Sequence, residues 1–207
     1  MLKKLSLTFI FLLYAVILLA VLLVVRFPKD SVVTRLEQKI ENRFSGYSCE
    51  INDIKYVYPR SVMIEGVTIT NPDQQSQLPA TNILVTPDLK NILTRFDMSL
   101  ELFEGTLNTT VILHRDSNRV ELSTLEITGV NLKEVSFIEQ SLGRGVDGIL
   151  ELSGRYSGGR GQIINGSFSG TIAIKDFQME LKRPILQSKQ VVFSELRTFI
   201  QLKNGLV

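Results

Sequence analysis

The sequence predicts a mainly β, α+β protein: a single N-terminal membrane-spanning helix, then a curved, mostly antiparallel sheet with two or three short helices. Three observations carry that expectation. The run from Leu5 to Val25 contains no charge and no proline. From Tyr47 onward the apolar residues change from helical spacing to alternation, the period of a strand with one buried face. Glycine, proline and asparagine interrupt that alternation every five to nine residues or so, as turns between short strands do.

At about 1.5 Å per residue the Leu5–Val25 run would form a helix of roughly 32 Å, matching the ~30 Å hydrocarbon layer of a bilayer. Within lipid only a helix satisfies its own peptide groups in so short a segment. Lys3 and Lys4 precede the run, Arg26 and Lys29 follow it, and no small-residue cleavage pattern succeeds it. An uncleaved signal anchor is therefore expected over the alternative of a cleaved signal peptide, with residues 1–4 as a cytoplasmic head, 5–25 as the span and 29–207 as a β-rich domain on the far side.

Pro28 ends the span, and Asp30 or Ser31 is placed to cap a new helix. Its face is Val33, Leu36, Ile40 and Phe44, and Gly46 is its stop. Ser48–Tyr58 and Ser61–Thr70 read as the first strand pair, broken at Pro59 and followed by the turn residues Asn71, Pro72 and Asp73. Thr81–Thr86 is a third strand. Pro87 and Asp88 open a short helical turn with Leu89, Ile92 and Leu93 facing one way. Asp97–Phe103, Thr106–His114 and Arg119–Thr128 read as strands separated by turns at Glu104-Gly105 and Asp116-Ser117-Asn118.

Asn131 is placed to cap a further helix whose stripe is Leu132, Val135, Ile138 and Leu142, ending at Gly143. Gly148–Tyr156 and Ser167–Ile174 are strands on either side of the Gly158–Gly161 loop and Asn165-Gly166. Val191–Phe193 and Arg197–Lys203 are the last two. Asn204-Gly205 is a strong hairpin signal with only Leu206 and Val207 after it, so either another chain supplies the return arm or, the preferred expectation, the domain continues past this point.

Composition narrows function by exclusion. Lys and Arg number 23 against 21 Asp and Glu, with no basic stripe, which argues against nucleic acid as a partner. Cys49 is the only cysteine and His114 the only histidine, so the chain offers no intramolecular disulfide and no zinc-ligand cluster. Cys49 lies in a strand beside no evident base and reads as a packed thiol; His114 reads as an edge residue. Gly143–Gly148 fits G-x-G-x-x-G by letter but follows a helix and enters a strand, the reverse of a dinucleotide site. No catalytic residue, metal or cofactor is expected.

Read in order, the pattern resembles the protein N family of type II secretion systems (GspN), in the form akin to AsmA-like envelope proteins. The matching residues are Phe27-Pro28 after the anchor, Phe44 to Tyr47, and Cys49 to Ile54. Further matches are Val62 to Ile69, Val85 to Leu89 ahead of Ile92-Leu93, Gly129 to Leu132, Gly148 to Leu152, and Leu196 into Lys203-Asn204-Gly205. The resemblance implies a bacterial inner-membrane protein with a periplasmic β-rich domain, working with the apparatus that exports folded proteins. Its partners would be the bilayer and other envelope or secretion-system proteins, and no catalytic residue is carried over.

Two non-catalytic functions follow. One is an accessory or assembly component of the secretion apparatus. The other is an AsmA-like protein that binds or transfers phospholipid in a trough lined by Met98, Leu100, Leu107, Val111, Leu152, Phe168 and Ile172. The same residues would also serve as an ordinary core face.

Overall fold

The computed structural model describes residues 11, 13–15, 18, 29–43, 47–71, 76–135, 138–139, 142–159, 162–185 and 188–203. Helix α1 (Lys29–Arg43) precedes β1 (Ser48–Val57), β2 (Ser61–Asn71), β3 (Ser76–Pro87), β4 (Arg95–Leu102) and β5 (Gly105–His114). Then come β6 (Arg119–Asn131), β7 (Val146–Gly159), β8 (Gln162–Ile185) and β9 (Ser188–Leu202). Every strand pairs antiparallel with its sequence neighbours, giving a nine-stranded meander in the order β1 to β9. The fold is thus mainly β and antiparallel, as the alternation predicts. Antiparallel neighbours need only tight reversals, so no crossover helix is required.

Helix α1 forms where the 3.6-residue spacing predicts it. Val32, Val33, Leu36 and Ile40 pack on a buried cluster of Cys49, Ile51, Ile54 and Val67. Phe44 and Gly46 lie outside the described residues, as do Pro72 and Asp73, the Arg160-Gly161 part of the glycine loop, and Asn204-Gly205. Among the described residues no helix is long and apolar enough to cross a membrane. The Leu5–Val25 run lies almost wholly outside them; its described members Phe11, Leu13, Tyr14, Ala15 and Leu18 are helical and exposed.

Several boundaries differ from the sequence reading. β3 begins at Ser76, ahead of the predicted Thr81, because β2 supplies partners as far as Asn71↔Ser76. The Pro87–Leu93 segment is a turn instead of a helix. Asp88 Oδ1 accepts from the Lys90 and Asn91 amides, and the Asn91 carbonyl accepts from Thr94 and Arg95. Leu89, Ile92 and Leu93 are exposed there.

Asn131 does act as a cap, accepting from the Lys133 amide, but the helix it starts is a 3₁₀ turn, Leu132–Glu134. Beyond it only Ile138, Glu139 and Leu142 are described as helical. Asn165-Gly166 does not turn the chain but lies within β8, which begins at Gln162 and takes in the predicted Ser167–Ile174 strand, while Gly148–Tyr156 falls in β7. A Cβ at Gly166 would lie 2.2 Å from the Tyr156 hydroxyl, so this glycine makes room for a ring laid across the sheet. Likewise Val191–Phe193 and Arg197–Lys203 belong together in β9, held in register by β8.

The sheet does not alternate cleanly along its whole length. In β1 and β2 the helix-facing residues switch from Cys49, Ile51, Ile69 and Val67 to Ile54 and Ile64 across Asn52 and Gly66. Gly66 adopts φ +60°, in the left-handed region glycine favours, and its missing side chain leaves room for that of Asn52. Further irregularities interrupt β6 at Leu122/Leu125 and Ile127/Val130, and β7 at Asp147/Ile149. Such bulges bend a strand and strengthen its twist.

Candidate functional site

Directly opposed residues of an antiparallel pair share a face, so the register traces one lane across the sheet. It runs Ile54, Ile64, Ile83, Leu100, Leu107, Ile127, Leu152, Ile172, each the partner of the next on strands β1 to β8. Every member is aliphatic. At about 4.8 Å per strand the lane is roughly 34 Å long.

Parallel lanes extend the same face. Phe96, Val111, Leu122, Tyr156, Phe168 and Leu202 form one, and Val130, Leu150, Ile174 and Leu196 another. Between them lies Val85, Met98, Thr109, Leu125, Gly154 and Gly170. The two glycines make room for Phe168, whose ring atoms stand 2.7–2.9 Å from where their Cβ atoms would be. The gap in side chains is thereby floored with an aromatic ring. Thr109 is the polar member: it is 7% exposed, and its hydroxyl has no hydrogen-bond partner.

This face has little over it. Among the described elements, α1 packs against β1 and the 3₁₀ turn against β7. The buried core is accordingly small. Cys49, Ile51, Ile54 and Val67 cluster beneath α1, while Leu100, Leu107, Leu152 and Ile172 are only half-buried. A two-layer domain would close such a face with a second layer. Here it remains an apolar gutter open along β3 to β8 among the described elements.

The seven residues that sequence reasoning grouped all lie on this face, four of them (Leu100, Leu107, Leu152, Ile172) in the single aliphatic lane. Met98, Val111 and Phe168 stand in the flanking lanes. Missed were Ile54, Ile64, Ile83 and Ile127, and also Leu122, Leu125 and Val130. In β6 the bulges break the alternation that would have revealed them.

The two sheet edges are unlike. On β1 the Ile51 amide donates to Glu37 Oε1 at 2.9 Å and the Cys49 amide to Glu41 Oε1 at 3.3 Å. Carboxylates one helical turn apart thus stand in for the carbonyls of an absent strand. β9 has no such cover among the described residues and exposes Val192, Phe193 and Phe199. An uncovered edge of this kind is a template for an added strand.

Burial, hydrogen bonds and ion pairs shift several titratable groups. Burial, then the charges of Glu37 and Glu41, push the Cys49 thiol up from its ordinary value. The Ile54 amide, then Lys29, hold the Asp53 carboxyl below its usual range. Hydrogen bonding to Glu65 raises Lys55, and Glu151 does the same for Lys175. His114 Nε2 meets Glu121 Oε2 at 2.9 Å, and both are exposed. Among the described residues no three His, Cys, Asp or Glu side chains converge on a metal position.

Fold and face together define a class, a one-sided antiparallel meander with an open apolar gutter. The chain matches no family model, no curated protein and no solved structure.

Proposed function

We propose that this is a non-catalytic, bilayer-tethered envelope protein whose working surface is the apolar gutter, and that the gutter holds the acyl chains of phospholipid. The observation that carries this reading is the uninterrupted aliphatic lane from Ile54 to Ile172 with no charged member. At about 25 cal/mol per Å² of apolar surface removed from water, covering even a few hundred Å² offsets several kcal/mol. Acyl chains are the partner that gains most there while asking for no hydrogen bonds. The candidate span at Leu5–Val25 keeps the domain beside a lipid source.

The test is site-directed photocrosslinking in cells. A photoreactive residue at Leu107 or Leu152 should give lipid adducts. The same residue at Asn108 or Ser153, on the opposite face, should give few. Equal labelling of both faces, or none at Leu107 and Leu152, sinks the reading.

A second reading, an accessory component of a type II secretion system, draws on the family resemblance and on the bare β9 edge. Strand addition at such an edge is a recurrent way to recruit a protein partner. Crosslinks from β9 to a secretion subunit, in place of lipid adducts along the lane, would favour it.

A further inference from the structure

The geometry points to one end of the sheet, the β1–β2 and β3–β4 turns, as a surface that dips into the bilayer interface. This rests on reading Leu5–Val25 as a membrane span, and the covalent chain then sets the distances. Four Cα steps separate Val25 from Lys29, so the start of α1 lies within about 15 Å of the end of the span.

The contacts of α1 fix which way it points. Glu41 meets Cys49, Glu37 meets Ile51, and Lys29 Nζ reaches Asp53 Oδ1 at 3.3 Å, so α1 runs antiparallel to β1. Its first turn, nearest the span, therefore lies toward the β1–β2 turn. From Asp53 the strand continues toward that turn, reaching Tyr58 after about 17 Å at ~3.3 Å per residue. The reach of the turn is close to the longest reach of the tether, so the tip is able to stand at the level of the membrane surface.

What the tips carry fits that level. Tyr58 is 87% exposed and Tyr56 54%, with the Tyr56 hydroxyl donating to the Pro59 carbonyl. The β3–β4 turn emerges at the same end and exposes Leu89 (67%), Ile92 (53%) and Leu93 (66%). Apolar side chains so exposed on a tight turn have no partner among the described elements. Arg60 and Lys90 flank them, exposed, where lipid phosphates would lie, and Arg95 stands beside them, 3.8 Å from the Asp88 carboxylate. Tyrosine and basic residues around a small apolar tip are the composition of an interfacial contact. Farther from α1 on the same end, the β5–β6 turn (Arg115, Asp116, Ser117, Asn118) is polar, so the apolar tips are those nearest the tether. The Asp88 carboxylate holds the β3–β4 tip in shape through the Lys90 and Asn91 amides.

The chain contains no tryptophan, so one introduced indole reports its own surroundings. The full chain carrying Ile92→Trp, and separately Glu134→Trp at the opposite end of the sheet, is reconstituted into phosphatidylglycerol/phosphatidylethanolamine vesicles containing brominated acyl chains. The Ile92→Trp emission is expected to shift to the blue and lose most of its intensity to bromine near the top of the chains. The Glu134→Trp emission should stay water-like and unquenched. Flotation of the same vesicles reads the anchor separately. Protein that floats while Ile92→Trp stays as unquenched as Glu134→Trp overturns the inference and leaves the anchor reading standing. Protein that fails to float overturns both. Leu93→Trp serves if Ile92→Trp does not fold, with the same two outcomes.

Discussion

Removing the carboxylate of Glu37 should unpick the edge of the sheet that α1 protects. Glu37 Oε1 accepts from the Ile51 amide at 2.9 Å, and Ile51 is 7% exposed. Glu37→Ala leaves that amide without an acceptor in a place water reaches poorly. A hydrogen bond to a charged partner contributes about 1.5–3 kcal/mol, and an unmade buried one costs about 1–3 kcal/mol. Glu37 is itself half-buried, so the lower half applies and a loss of about 1.5 kcal/mol is expected. The Glu41 bond to Cys49 is longer, 3.3 Å, and Glu41 is exposed, so Glu41→Ala should cost roughly a third as much. Glu37→Gln keeps an acceptor oxygen and should recover most of the loss. Urea denaturation of the full chain in detergent, followed by circular dichroism, measures all three. Glu41→Ala costing more than Glu37→Ala, or Glu37→Gln as harmful as Glu37→Ala, would refute the view that these side chains substitute for a strand.

Other outcomes follow from single positions. Gly66→Ala should destabilise by about 1–2 kcal/mol, since φ +60° is strained for any L side chain. A new Cβ would also meet Asn52 Nδ2 at 2.1 Å, so adding Asn52→Ala to Gly66→Ala should recover only part of the loss in the same denaturation experiment. Asp53 has a depressed carboxyl pKa, so its contribution is present above the ordinary value of 3.8 and lost as pH falls through the lower folded value. Acid titration by NMR should show the Asp53 carboxyl protonating below the ordinary value of 3.8, with the Lys29 contact loosening in the same window. The Cys49 thiol is 3% exposed and its pKa is raised, so a disulfide reagent at pH 8 should label it slowly. Leu36→Ala, which loosens α1 over the thiol, should speed that labelling.

The β-rich class and the one-sided character of the strands were legible because alternation is local. Asp97 to Leu102 announces its buried face within six residues, wherever the strand ends up. Helix α1 was legible for the same reason: Val33, Leu36 and Ile40 fall on one side of any helix they form. Asn131 was recognisable as a cap, yet the length of the helix it starts was not, since a cap satisfies amides without fixing where the carbonyls end. The turn expected at Asn165-Gly166 does not form: the dipeptide sits inside β8, in the register gap between the Gly159↔Gln162 and Ser157↔Ser167 pairs, with the Tyr156 ring lying over Gly166.

Amino-acid order by itself determined which residues are apolar, at what period they recur, and that an uncharged run precedes the domain. Only the tertiary structure decided that Ile54, Ile64, Ile83, Leu100, Leu107, Ile127, Leu152 and Ile172 stand in one line. Register is the reason. A strand's side-chain period is fixed by its own backbone, but its alignment with a neighbour depends on where each turn closes and where each bulge adds a residue. The capped β1 edge is decided the same way, because Glu37 and Ile51 meet only once α1 has folded back along the strand.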